Sequence, residues 1–253
     1  MQITNRHSHR APRIGALAAV VTLSLALLGS FASGAGATSS FTSHSAAQIM
    51  ATARSAMKAA GSVIATGSGE VSITGVGNAH ISEQNYSGPT SGTQRAVFTS
   101  TTSKTPLPSG AVTLVGNALY VYANAPFWAT APNVNAAQAT ALSYKWIEIL
   151  KSSPLYASEA ADLTLPSLIV DLFTAKSYHK GSIRTVNGTK CIQISYKTTG
   201  VDAGATSTLI PIGGSHLPVS VSETDLPFRL TSWGKKKTVS VPSGAVLFSS
   251  LVP

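Results

Sequence analysis

Three stretches of the chain place a serine three residues before a lysine: Ser55 to Lys58, Ser177 to Lys180, and Ser232 to Lys235. On one helical face that spacing puts a hydroxyl nucleophile beside an amine base. It is the first half of an acylating serine enzyme. The other half, a downstream Ser-Asp-Asn and a Lys-Thr-Gly, is not present. Lys197-Thr198-Thr199-Gly200 is one residue too long. Three matches in a serine-rich chain mark the pattern as a product of composition. Lys58 then belongs to the wet face of a helix.

The remaining polar chemistry is equally sparse. His44, His80, His179 and His216 are far apart, with no His-x-His or His-Glu-x-x-His spacing to preorganise a metal site. Glu159 and Asp162 stand three residues apart, which suits solvated charges better than a cation site. No Gly-x-Ser-x-Gly and no glycine-rich phosphate loop occurs. The expectation is a chain with no catalytic residue, no metal and no cofactor. The single cysteine, Cys191, sits in a strand-like run without an intramolecular partner. It is expected to be a small buried side chain. Asn85-Tyr86-Ser87 and Asn187-Gly188-Thr189 match a glycan acceptor pattern and are given no role.

The first 37 residues have the order of an export leader. A basic head (Arg6, Arg10, Arg13) precedes an apolar stretch from Ile14 to Leu28, and Ala35-Gly36-Ala37 supplies a small-residue cleavage site. The apolar stretch is about 15 residues, short of the roughly 20 that span a bilayer. Residues 1–37 are therefore expected to be a signal peptide, and 38–253 a single domain. Ser30 follows Leu27-Leu28-Gly29, where a lipid-bearing cysteine would have to stand, so the mature protein is expected to be released into the envelope or medium. Loss of Arg6, Arg10 and Arg13 lowers the basic count from 18 to 15 against 9 acidic residues, leaving a net charge of +6. The densest basic cluster is Lys235-Lys236-Lys237. A nucleic-acid surface would show a broader stripe with interleaved aromatics, so no nucleic-acid partner is expected.

The elements that must position everything else begin with a helix over Ala46 to Ala60. Ser45 and Gln48 have capping-box spacing, and Gly61 supplies the stop. Ile49, Ala53, Ala56, Met57 and Ala60 form one apolar stripe on it. The period then changes to two. Val63, Ala65, Val71 and Ile73 share one parity against a mostly polar one, and Gly67 and Gly69 suit a bulge or bend. Strand-like runs follow at Ala79 to Tyr86, Gln94 to Thr99, Ala111 to Val115 and Ala118 to Tyr122, with Gly116-Asn117 as a hairpin turn. After a Pro/Asn-rich loop from Ala125 to Asn135 comes a short helix, Ala136 to Leu142. A more apolar helix follows, with Pro166 in its first turn and a stripe of Leu165, Leu168, Ile169, Leu172 and Phe173. Strands return from Gly181 to Val186, Lys190 to Thr198, Ala205 to Ile212, Pro218 to Thr224, Phe228 to Trp233 and Thr238 to Val241. The fold class is α+β: a curved antiparallel sheet, with an N-terminal helix and a central helical insertion packed on one face.

That order, together with Gly116-Asn117-Ala118-Leu119-Tyr120-Val121-Tyr122, Trp128, Lys145-Trp146-Ile147 and Val186-Asn187-Gly188, resembles the exported lipid carriers of the LolA/LppX/LprG type. The resemblance spans nearly the whole mature chain and rests on spacing and small motifs. It implies an open half-barrel whose concave side is closed by helices, with an apolar cavity for acyl chains between them. The partner it implies is a lipid or acylated glycolipid, with transient contact at a membrane surface. The protein itself is expected to be a monomer. The expected lining is Val63, Ala65, Val71, Ile73, Phe98, Val112, Leu114, Ile192 and Ile194, with Leu168, Ile169, Leu172 and Phe173 above. Tyr120 joins that lining; the aromatic group it belongs to, Tyr120, Tyr122, Phe127, Trp128 and Trp146, either rims a lipid opening or is core. The alternative is an envelope interaction or sensor domain of the same fold with a packed interior.

Overall fold

The computed structural model describes residues 37–73, 77–100, 106–131, 133–160, 163–173, 175, 177–197, 205–223 and 226–251. The leader, residues 1–36, lies outside them.

A short helix α1 (Ala37–Ser43) leads into α2 (Ala46–Ala60). The Ser45 hydroxyl accepts from the Gln48 backbone N–H and the Gln48 side chain accepts from the Ser45 N–H, so two orphan donors of the helix start are satisfied reciprocally. Gly61 ends the helix at φ 76°, a conformation that costs glycine nothing. The buried stripe is Ala46, Ile49, Met50, Ala53 and Met57. Each fully buried large member contributes roughly 1.5–3 kcal/mol.

Six strands then meander: β1 (Val63–Ile73), β2 (Gly77–Ser87), β3 (Gly92–Ser100), β4 (Gly110–Val115), β5 (Ala118–Ala123) and, after two short helices, β6 (Trp146–Leu150). The two helices are α3 (Ala125–Trp128), capped by Asn124, and α4 (Ala136–Leu142), capped by Asn135 with Gln138 in a capping box. The chain next runs through α5 (Pro154–Ala160) and α6 (Leu165–Leu172) to the far edge of the sheet. From there β7 (Tyr178–Val186), β8 (Thr189–Lys197), β9 (Ala205–Pro211), β10 (Ser220–Glu223) and β11 (Leu226–Thr231) meander back until β11 pairs with β1. A final short strand β12 (Val246–Leu247) lies parallel to β6.

The result is one 12-stranded sheet in the order β12-β6-β5-β4-β3-β2-β1-β11-β10-β9-β8-β7, antiparallel except at β12 and open at both edges. With helices on its inner side it is the α+β half-barrel expected of the sequence.

Three local expectations differ. Ala125 to Asn135, expected as a loop, opens with helix α3, because Asn124 caps it and Pro126 suits its first turn. The β1–β2 register is unbroken from Val63↔Ser87 to Ile73↔Gly77, so Gly67 and Gly69 do not form a bulge; the register shift falls in β7, between Lys180 and Ile183. At Gly67 the glycine instead admits an aromatic ring, because a Cβ there would lie 2.8 Å from the Phe228 ring. Thr238 to Val241, expected as a strand, pairs with none. The chain just before it, Lys235 to Lys237, forms a strap beside Tyr86 on the outer face of the sheet. Its backbone is held by side chains: Ser62 donates to the Lys235 carbonyl at 3.0 Å, and the Lys237 N–H donates to the Tyr86 hydroxyl at 3.0 Å.

Candidate functional site

Alternation assigns the two faces. On the inner, concave side Val63, Ala65 and Gly67 of β1 align in register with Ser87, Asn85 and Glu83 of β2, and these with Gly92, Gln94 and Ala96 of β3. Helices cover this side in three apolar clusters. One gathers Val112, Leu114, Leu119, Val121, Ile147 and Ile149 under Trp128, Leu142 and Leu163. A second joins Ile192, Ile194, Tyr196 and Ile210 to Phe41, Ile49 and Met50. The third sets Val63, Ala65, Val221 and Leu230 against Met57, Leu165, Ile169 and Leu172, with Leu168 and Phe173 partly buried beside it.

The expected lining therefore falls into groups. Val63, Ala65, Leu168, Ile169, Leu172 and Phe173 meet in the third cluster. Val112 and Leu114 lie in the first, and Ile192 and Ile194 in the second. Phe98 is half-buried and faces inward beside Ile81, its register partner. Val71 and Ile73 lie at the end of β1, in register with Ala79 and Gly77. Tyr120 stands on the opposite face: it pairs in register with Thr113 and Glu148, while Leu119 and Val121 point inward. Its hydroxyl is 3.4 Å from Glu148 Oε1. Burial, then the Glu148 carboxylate, hold the Tyr120 phenol above its ordinary 10.0.

The middle of the concave face differs from its flanks. Ala79, Ile81 and Ala96 are buried but belong to none of the three clusters. Small residues are frequent at the inward positions here, with Gly67, Gly69, Ala79, Ala96 and Gly110 across β1 to β4 beside the larger Ile81 and Phe98. Among them stand three polar side chains that the sequence reading missed. Glu83 Oε1 accepts from Asn85 Nδ2 at 2.6 Å and from Gln94 Nε2 at 2.7 Å. The signal was available, since the parity that carries Ala79 and Ile81 inward continues with Glu83 and Asn85. The connection from α5 to α6 crosses the face at its end, where Leu165 N–H donates to the Gly88 carbonyl at 2.8 Å.

The other polar features lie elsewhere. Ser55 and Lys58 are both exposed on α2, and Lys180 Nζ donates to the carbonyls of Thr42 (3.1 Å) and His44 (2.9 Å). His80 Nδ1 lies 3.1 Å from Glu70 Oε1 on the outer face, and His216 stacks on Phe41 with ring centroids 3.9 Å apart. Asp162 is outside the described residues; Glu159 is buried in α5. Among the described residues no group of three or more His, Cys, Asp or Glu side chains is placed to hold a metal ion. Cys191 is buried, its thiol pushed above 9.0 by desolvation. Two open depressions mark the outer face: about 210 Å³ under the strap beside Tyr86 and Lys237, and about 400 Å³ between Ser177, His179, Ser195, Lys197, Ser207 and Ser222.

No family model and no curated protein matches the chain. Solved structures do. LprF from Mycobacterium bovis is 11% identical, with a TM-score of 0.46, over 79% of this chain and 97% of its own. The Mycobacterium tuberculosis lipoprotein LppX is 14% identical, with a TM-score of 0.40, over 77% and 97%. A LolA-superfamily protein from Nitrosomonas europaea is 11% identical, with a TM-score of 0.31, over 75% and 92%. These are the groups that the sequence resembles. At such identities the likeness is one of fold, and no residue here takes a role from it.

Proposed function

We propose that this is an exported, non-enzymatic lipid-binding protein, a single domain over 38–253 behind a cleaved signal, holding an acyl chain between the concave face of its sheet and the helices above. The observation that carries this reading is the distribution of side-chain volume on that face. Large aliphatic residues pack against helices on both flanks, while Gly67, Gly69, Ala79, Ala96 and Gly110 occupy the middle. The small residues thin the side-chain layer there, the ring of Phe228 lies over Gly67 and that of Phe98 stands beside Ile81, and an acyl chain enters as these partly buried rings turn aside.

The energetics need no catalytic group. Each CH₂ moved from water into such a groove contributes about 0.8 kcal/mol, so a long acyl chain supplies ample affinity. Release into the envelope or medium, with no lipid-bearing cysteine behind the leader, suits a carrier that exchanges cargo at a membrane surface and acts as a monomer.

Extraction of the protein from its producing cells into organic solvent, followed by mass spectrometry, tests the reading. A co-purifying acyl lipid near one per chain is expected. Its absence, together with failure to take up a fluorescent fatty acid, would leave the packed interaction domain as the account of this fold.

A further inference from the structure

We infer that the depression under the strap, on the outer face of the sheet, is a binding site for a phosphate ester. It lies on the other side of the sheet from the acyl groove, and it stands or falls independently of the lipid-binding reading.

The strand register sets out its parts. Gln84 and Tyr86 of β2 lie opposite Arg95 and Thr93 of β3, and these lie opposite Ala111 and Thr113 of β4, all on the outward parity. Directly opposed side chains start about 5 Å apart, so these positions form one compact patch. Ala111 is small, and its place beside Arg95 helps to open a depression of about 210 Å³. The strap adds Lys237 from above. Its N–H donates to the Tyr86 hydroxyl at 3.0 Å, and its ammonium lies 5.9 Å from the centre of the Tyr86 ring.

Charge and hydrogen bonding then select the ligand. Among the described residues no carboxylate lines the depression. On the outer face Glu70 faces His80 at 3.1 Å, and Glu148 stands beyond Tyr120, against its hydroxyl. Arg95 and Lys237 therefore face one cavity as two cations with no counter-charge in its lining. Thr113 is only 8% exposed, yet its hydroxyl makes no hydrogen bond to a described residue. A hydroxyl so nearly buried at the edge of a cavity calls for a partner inside it. The guanidinium, the ammonium, the Gln84 amide and the hydroxyls of Thr93 and Thr113 can all donate, from the sheet below and the strap above. A phosphate ester carries up to two charges and several strong acceptor oxygens spread in three dimensions, which matches that set. A carboxylate offers two oxygens in one plane, and a neutral sugar leaves both cations without a counter-charge.

Amide NMR of the isotope-labelled purified chain, titrated with glycerol phosphate, tests the site. Saturable shifts are expected at Gln84, Arg95, Thr113 and Lys237, and none with glycerol. Arg95→Gln and, independently, Lys237→Gln should weaken binding about tenfold, and Thr113→Val roughly threefold. Both charge substitutions are at exposed positions, so the unfolding midpoint should stay in place. No saturable shift at these residues, or binding that Arg95→Gln and Lys237→Gln both leave intact, overturns the site. Co-sedimentation with phosphatidylcholine vesicles, with and without phosphatidic acid, then assigns the source of the phosphate in a chain that binds glycerol phosphate. Sedimentation that needs phosphatidic acid, Arg95 and Lys237 makes it a lipid headgroup; otherwise it is a soluble or polymer-borne ester.

Discussion

Gly92 and Leu163 meet backbone to backbone: a Cβ on Gly92 would lie 1.7 Å from the Leu163 carbonyl oxygen. That approach lets the connection between α5 and α6 cross the concave face against the β2–β3 turn, and Leu163 itself is buried in the cluster over β4 to β6. Gly92→Ala must push the connection off the sheet. A loss of about 3 kcal/mol is expected in denaturant unfolding, in the range of severe core strain. Gly116→Ala is the control. Gly116 has φ 59° with nothing within 4 Å of its Cβ position, so only backbone strain, about 1 kcal/mol, is expected.

The capping box of α2 sets a second expectation. Ser45→Ala leaves the Gln48 N–H without its side-chain acceptor and should cost about 1 kcal/mol. Ser45→Asp should restore most of it, since aspartate caps as well and its charge suits a helix start. Paired unfolding curves for the two variants decide this.

The strap carrying Lys235 to Lys237 hangs on few bonds. Tyr86→Phe removes the acceptor of the Lys237 N–H, and Ser62→Ala the donor to the Lys235 carbonyl. Each should cost about 1 kcal/mol. Hydrogen exchange should speed up in the segment after Gly234 before it changes in β1 or β2. Uniform acceleration across the sheet would contradict the strap's separate attachment.

Stability should fall at alkaline pH. Burial holds the phenols of Tyr120, Tyr156 and Tyr178 above their ordinary 10.0 and the Cys191 thiol above 9.0; at Tyr120 the Glu148 carboxylate adds to this. A folded-state value raised above the unfolded one means the folded state keeps its proton longer. The contribution is complete below pH 9 and is lost as pH climbs above 9 to 10. Melting temperatures from pH 7 to 11 check the sign. Tyr120→Phe should flatten the upper part of the profile.

How much of this was legible in the sequence depended on how many forces agreed locally. Ser45, Gln48 and Gly61 all bounded one helix, and α2 runs over Ala46–Ala60 as they require. Gly116 and Gly188 adopt the positive φ that their turns demand. Where both parities of a strand are apolar, alternation decides nothing. Leu119, Tyr120, Val121 and Tyr122 left the face of Tyr120 open, and pairing with Thr113 and Glu148 settles it. Thr238 to Val241 has strand-forming residues yet pairs with no strand, and the bonds from Ser62 and Tyr86 fall just before it, at Lys235 and Lys237. Glu83 and Asn85 were passed over because each looks like a surface residue until Gln94 is brought beside it from the next strand.

The central claim is that a lipid tail lies against the middle of the concave face, and photocrosslinking reads it most directly. A diazirine-bearing fatty acid, irradiated with the purified chain and mapped by peptide mass spectrometry, should label β1 to β4 at inward positions near Ala79, Ile81, Ala96 and Phe98, together with α6. Labelling confined to the outer face, around Tyr86 or Ser195, or no saturable labelling at all, would contradict it.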